Sequence, residues 1–259
     1  MLVRSWNLFN GNTEPPQREA FLDEMVRLAT ADEPDVLCLQ EVPAWALDRF
    51  TVGDVAARPP LGRELGRAVT ELHHGVIRSA VAGQGNAIEL SPRLRLLEHR
   101  LLVLNPRRFR RLQARALRLD VAGRLAWARE RRVVQVARLG REDGRALTVA
   151  NLHCTTYSRD YRLADAELLR AAWFAASVAA SEDVLVLAGD FNVSAERSRT
   201  LAQLGGPDWG FSGAGEGIDH ILVRGASAGP TRHWPDERRR HGDALLSDHA
   251  PVEVELDLG

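Results

Sequence analysis

The apolar residues of this chain come in short runs, and five of those runs border a carboxylate, amide or imidazole. Residues 2–6 run into Asn7, 36–39 into Gln40-Glu41, 146–152 into His153, and 184–188 into Gly189-Asp190. Asp219-His220 opens the run 221–223, and Ser247-Asp248-His249-Ala250-Pro251 precedes a last alternating run, 251–258. Runs of this length read as buried or half-buried strands. Polar side chains repeatedly set at strand ends stand on a rigid scaffold, which is where sites are assembled.

Other segments complete the pattern. Residues 17–30 have helical spacing, with Phe21, Leu22, Met25, Val26 and Leu28 on one face and Arg18, Glu19 and Asp23 on the other; Pro34 stops the helix. Residues 44–72 read as helix and loop. Residues 75–104 read as successive strands with turns at Gly83-Gln84-Gly85 and Ser91-Pro92. A hairpin spans 133–139 and 146–152, an amphipathic helix spans 161–180, and a short helix starts near Ser194. This mixed order predicts an α/β chain folded as a four-layer α-β-β-α sandwich, two mixed sheets packed face to face with helices outside. An apolar content of 45% over 259 residues can fill such a core, and no boundary divides the expected single domain, 1–259.

Composition removes several classes. Cys38 and Cys154 are too few for a disulfide framework. The N-terminal residues lack the basic and apolar regions of a signal peptide, and the longest apolar stretch, 171–180, is far short of a membrane span. The expectation is a cytoplasmic protein, monomeric by default. The net charge of −1 gives no hint of a polyanion partner for the molecule as a whole.

The residue types at the strand ends fit one chemistry. Hydrolysis of a phosphate ester needs a hard cation, a base for water and donors for the phosphoryl oxygens. Carboxylate and amide oxygens suit Mg²⁺, or Mn²⁺, and the spacings of zinc sites are absent. Each residue alone has an ordinary explanation: Asn7 as a turn residue, Glu41 as a solvated acid, His153 as a satisfied strand-end histidine. Together they run the length of the chain.

In that order, Trp6-Asn7, Leu39-Gln40-Glu41, Asn151-Leu152-His153, Gly189-Asp190-Phe191-Asn192, Ile218-Asp219-His220-Ile221 and Ser247-Asp248-His249-Ala250-Pro251-Val252 resemble the motif set of the endonuclease/exonuclease/phosphatase superfamily. The resemblance implies that Asn7 and Glu41 hold the metal, with Asp248 on its water shell. It implies that His249, oriented by Asp219, acts as general base or contacts the scissile phosphate, and that Asp190 activates water. Asn192 and His153 would hold phosphate oxygens. Asn86, in Gly85-Asn86-Ala87-Ile88, resembles a further family position that touches substrate. His153 stands where abasic-site endonucleases carry a Tyr-containing segment, and the inositol-phosphatase signature is missing before Asp219. Both branches are therefore disfavoured.

One region bears on substrate. Residues 93–145 hold 16 Arg against 5 Asp or Glu, including Arg107-Arg108 and Arg110-Arg111. Such a stretch either tracks a phosphodiester backbone or is a solvated face. Arg132, just ahead of a strand, is the candidate phosphate ligand within it, whereas His73-His74 reads as structural. Nucleic acid is the expected substrate; the alternative is a small metabolite or lipid headgroup. A catalytically silent binding module is disfavoured, because every expected catalytic residue type is present.

Overall fold

The computed structural model describes all residues except 18, 61, 73–79, 142–143, 214 and 259, and the side chains of 70–72 are also left undescribed; His73 and His74 lie outside the described residues. Three strands come early, β1 (Leu2–Asn7), β2 (Thr13–Glu14) and β3 (Val36–Pro43), with helix α1 (Leu22–Thr30) between the last two. Then come β4 (Val52–Ala57), α2 (Arg63–Leu72), β5 (Gln84–Leu90), β6 (Arg95–Val103), α3 (Arg107–Ala116), α4 (Val121–Arg129), β7 (Val133–Gly140) and β8 (Ala146–His153). The chain ends with α5 (Arg162–Val178), β9 (Val184–Asp190), α6 (Arg199–Leu204), β10 (Asp219–Arg224), β11 (Ser227–Ala228), β12 (Arg232–His233), β13 (Arg240–His241), β14 (Ala244–Leu246) and β15 (Val252–Asp257).

Two mixed sheets carry the fold. One runs β11-β15-β1-β3-β5-β4, with β12 also on β15; the other runs β10-β9-β8-β7-β6. Strand alternation explains the layers. Along β9, Val184, Val186 and Ala188 enter the core between the sheets, where they meet Val3, Cys38, Ile88 and Val254. Leu185 and Leu187 point the other way, onto Leu168, Ala171 and Ala175 of α5. Leu37 and Leu39 of β3 likewise face Met25 and Ala29 of α1. Two apolar faces per strand give continuous runs, and helices outside both sheets give the expected four layers.

Several elements differ from the sequence reading. The first helix begins at Leu22, because Thr13 Oγ1 accepts from Gln17 N and donates to Pro15 O, holding the preceding residues in a turn. Residues 44–72 include the strand β4, which pairs with β5, and residues 80–82 are helical rather than extended. The helix expected near Ser194 starts at Arg199, where Ser198 Oγ accepts from Leu201 N.

Candidate active site

Register assembles half of the site. β8 runs parallel to β9 with His153 opposite Asp190, and β10 runs antiparallel to β9 with Asp219 opposite Asp190. Gly189 makes this possible: at φ +142° a Cβ would stand 1.9 Å from the Leu152 carbonyl oxygen, so only glycine lets β8 and β9 approach here. The other sheet supplies Asn7 from the end of β1 and Glu41 from β3. β3 breaks register against β5 between Leu39 and Val42, and Glu41 sits in that bulge at φ 50°. A bulge re-aims a side chain that regular pairing would hold in the sheet. Asn192 and Ser247 also have positive φ, 53° and 64°. Such conformations cost about 1–3 kcal/mol each and gather at functional sites.

Side-chain bonds to the end of β1 fix the segment that leads into β15 of the same sheet. Ser247 Oγ donates to the Asn7 carbonyl at 2.6 Å and accepts from His249 N at 3.1 Å. Trp6 Nε1 donates to the His249 carbonyl at 2.8 Å. The backbone of His249 is thereby fixed before β15 begins.

His249 Nδ1 meets Asp219 Oδ2 at 2.7 Å, and its Nε2 faces Asp190 Oδ2 at 3.8 Å. Burial alone would lower the His249 pKa, but the Asp219 hydrogen bond and the charges of Asp219, Asp190 and Asp248 outweigh it and raise the group to about 10. The imidazole is therefore a cation at neutral pH. Asp190 moves the other way for a carboxyl. Burial, then the charge of Asp219, raise it to about 7 against the pull of His249 and its hydrogen bonds with Asn7 and Asn192. Asn7 Nδ2 donates to Asp190 Oδ2 at 3.0 Å, and Asn192 N to Asp190 Oδ1 at 3.0 Å. A carboxylate that titrates near neutrality, beside a fixed cation, can exchange a proton with water.

His153 is neutral. Burial, and the positive charges of Arg132 and His249, push it well below its ordinary value. Arg132 Nη1 lies 2.8 Å from the His153 Nδ1 and 3.0 Å from its Nε2, and Nε2 faces Asp190 Oδ2 at 3.4 Å. Arg132 is itself buried, and its Nη2 meets Glu130 at 2.5 Å. Sequence reasoning placed Arg132 as a phosphate ligand; the structure brings it onto His153, inside the same cluster. Asn192 Nδ2 donates to the Cys154 carbonyl at 2.9 Å. Asn86, on β5, donates across to the carbonyl of Val133 at 3.2 Å, joining the two sheets beneath the site.

Glu41 accepts from Asn10 Nδ2 at 3.1 Å, and Asn10 Nδ2 also reaches Gln84 at 3.3 Å. Burial raises the Glu41 pKa; Arg132 opposes this and Asp248 adds to it. Asn10 Oδ1 is buried without a partner. A partly buried acid under the charge of a second acid, with an orphaned amide oxygen beside it, fits a hard oxygen-liganded cation. Asn7 turns its Oδ1 to Phe9 N at 3.0 Å and keeps one lone pair on that oxygen. Among the described residues, Asp190, Asp219 and His249 also offer ligand atoms within 4.8 Å of one another. The direct 2.7 Å contact between Asp219 and His249 makes that trio a hydrogen-bonded dyad with a neighbour rather than a cage. Asn10 and Gln84 were not foreseen: Asn10 lies in a loop and reaches Glu41 where Phe9 and Asn10 take positive φ, and Gln84, at the start of β5, joins through Asn10.

The model of the Endonuclease/Exonuclease/phosphatase family matches residues 5–249. None of the curated proteins matches the chain. Solved structures are similar over the whole length. A functionally unknown conserved protein from Enterococcus faecalis V583 is 16% identical with a TM-score of 0.66, covering 99% of each chain. The endonuclease/exonuclease/phosphatase from Bacteroides vulgatus is 15% identical with a TM-score of 0.62, over 99% of this chain and 98% of that one. Humanized D. rerio TDP2 is 14% identical with a TM-score of 0.60, over 99% and 98%. At these identities the likeness is one of fold. No helix among the described residues is long and apolar enough to cross a membrane.

Proposed function

The chain belongs to the Endonuclease/Exonuclease/phosphatase family, whose members hydrolyse phosphoester bonds, and from that premise we propose that it is a divalent-metal-dependent phosphodiesterase acting on nucleic acid. The observation that carries the chemistry is Asp190, a carboxyl brought to about pKa 7 between the neutral His153 and the cationic His249. Asp190 takes the proton of the attacking water. His249, held as an imidazolium by Asp219, donates through Nε2 to the phosphate as negative charge develops, while the P–O bond opposite the attacking oxygen breaks and the leaving oxygen takes a proton from solvent water. Asn192 and His153, the latter backed by Arg132, hold the non-bridging oxygens. Glu41, Asn7 and Asp248 would hold the cation, with Asn10 steadying Glu41. Mg²⁺ or Mn²⁺ bound there neutralises charge on the phosphate oxygens. In this reading Asn86 braces the sheets and touches substrate only through the residues it supports.

Nucleic acid is favoured by the position of the Arg-rich segment. β6 ends and β7 begins as register partners, Val103 opposite Val133, and Val134 is opposite Leu152 on β8. The inserted helices α3 and α4, with Arg107, Arg108, Arg110 and Arg111, thus spring from the edge that ends in His153. One feature favours a smaller ester instead. A groove of about 990 Å³ reaches from Ser194 to Gly217, near Asn192 and Asp219 in sequence, and its walls carry Glu196 and Glu216. Acidic walls repel a polyanion.

The test is turnover of an oligonucleotide and of bis(p-nitrophenyl) phosphate with Mg²⁺ or Mn²⁺. Both should be cleaved, EDTA should abolish both, and Glu41→Ala should weaken metal binding. Cleavage of the small ester alone replaces nucleic acid with a metabolite or lipid headgroup. Full activity in EDTA overturns the metal requirement.

A further inference from the structure

Between α3 and α4 lies a cavity of about 310 Å³ lined by Arg107, Arg110, Arg111, Arg115 and Arg124, with Trp127 and two alanines completing it. The arginines of α3 are spaced at three and four residues, so they share one helix face. That spacing is unfavourable without a counter-charge, since like charges at these intervals repel. Arg107 and Arg110 also occupy the first turn of α3, which carries no acidic residue and no side-chain cap. A cation there opposes the helix dipole. No carboxylate bridges any of the five guanidiniums among the described residues, whereas some other arginines are paired with acids, as in Arg162–Asp160 and Arg138–Asp183. Two of the five are held in place by backbone carbonyls: Arg110 Nη1 donates to Asn105 O at 2.9 Å, and Arg124 Nε to Leu119 O at 3.0 Å. The floor is rigid too. Trp127 is buried and donates to Glu167 at 2.6 Å, and Glu167 also accepts from Thr155 N, two residues past His153.

We infer that this cavity is a second anion site, which takes a phosphate group of a phosphorylated ligand, apart from the catalytic strand ends. Phosphate is the matching chemistry, because guanidinium forks bind its oxygens in pairs and the first-turn N–H groups of a helix add donors. The volume admits a diphosphate or one sugar-phosphate unit and not a protein segment. The inference does not depend on which ester the strand ends cleave. The phosphate comes either from a nucleic acid strand or from a free phosphorylated compound.

The probe is inorganic pyrophosphate, titrated calorimetrically in EDTA and physiological salt. The wild-type protein should bind it, and Arg111→Gln/Arg115→Gln should bind it at least about tenfold more weakly, as loss of two charge-assisted contacts implies. Circular dichroism should be unchanged. A second arm uses a 5′-phosphorylated oligonucleotide in place of pyrophosphate. Displacement of pyrophosphate by the oligonucleotide, with the same loss in the double variant, identifies the strand as the source. Pyrophosphate binding that the oligonucleotide does not disturb identifies a free phosphorylated ligand. Absence of pyrophosphate binding by the wild type, or equal binding by the variant, overturns the site.

Discussion

His249 Nδ1 lies 2.7 Å from Asp219 Oδ2, and Asp219 stands in register opposite Asp190, so one imidazole answers to two carboxylates on neighbouring strands. The pair should behave as a unit. His249→Ala removes the cation; Asp219→Asn removes what keeps it charged and oriented. Each should lower kcat by roughly 10²–10⁴-fold, as loss of a proton-transfer group does. The double variant should be little worse than the more damaging single one. Additive losses would mean that the two residues act separately.

The same electrostatics set a pH profile. Asp190 must be ionised to take a proton, and burial with the Asp219 charge raises it to about 7. The rate should therefore rise with pH through about 7. His249 must be protonated to donate, and it loses its proton near 10, so the rate should fall again there. In Asp190→Asn the rising limb should vanish along with most of the activity. A limb unchanged in position in that variant would assign it to another group.

How much of this could be read in the sequence follows from what each residue needs. His153, Asp190, Asp219 and His249 were legible because each is bound to a strand end by a local motif. Asn10 was not, since loop conformation brings it to Glu41, and Gln84 was not, since it enters the cluster only through Asn10. The helices α3 and α4 were hidden for a different reason. Only Ala114 is buried along α3, so the apolar stripe that marks a helix is absent, and the pair is held by Phe109 against Trp127, with ring centroids 5.8 Å apart. The strand β4 was obscured by Gly53, where a Cβ would stand 2.1 Å from the Leu47 carbonyl oxygen. Close packing against that backbone, rather than strand propensity, selects the glycine.

Arg4 gives a prediction about stability. Its side chain is fully buried in β1; Nε and Nη2 donate to Glu253 Oε2 at 3.0 and 2.7 Å, and Nη1 donates to the Ala29 carbonyl at 2.5 Å. It also stacks 4.6 Å from the Trp234 ring. Arg4→Met keeps the bulk but leaves Glu253 with only the Trp234 N–H and a 3.6 Å bridge to the exposed Arg232, and the end of α1 without a donor. Removing one partner of a buried pair costs about 3–5 kcal/mol. Urea denaturation should report a loss of that order, whereas a loss under about 1 kcal/mol would place the pair among weak surface bridges.

The substrate reading yields the last prediction. A strand lying across α3 would meet Arg107, Arg108, Arg110 and Arg111, three of them well exposed and none bridged to an acid among the described residues. Neutralising phosphates releases condensed cations, so affinity falls as a power of salt concentration, with an exponent of roughly 0.7 per phosphate for a single strand. Four contacts imply that KM for an oligonucleotide rises roughly 50-fold between 50 and 200 mM salt. A small ester that touches only the catalytic cluster neutralises one phosphate and should weaken no more than about threefold over the same range. The comparison removes effects of salt on the protein and on the cation, because both substrates share them. Equal salt slopes for the two would mean that α3 faces solvent during turnover, and the groove walled by Glu196 and Glu216 would then define a small substrate.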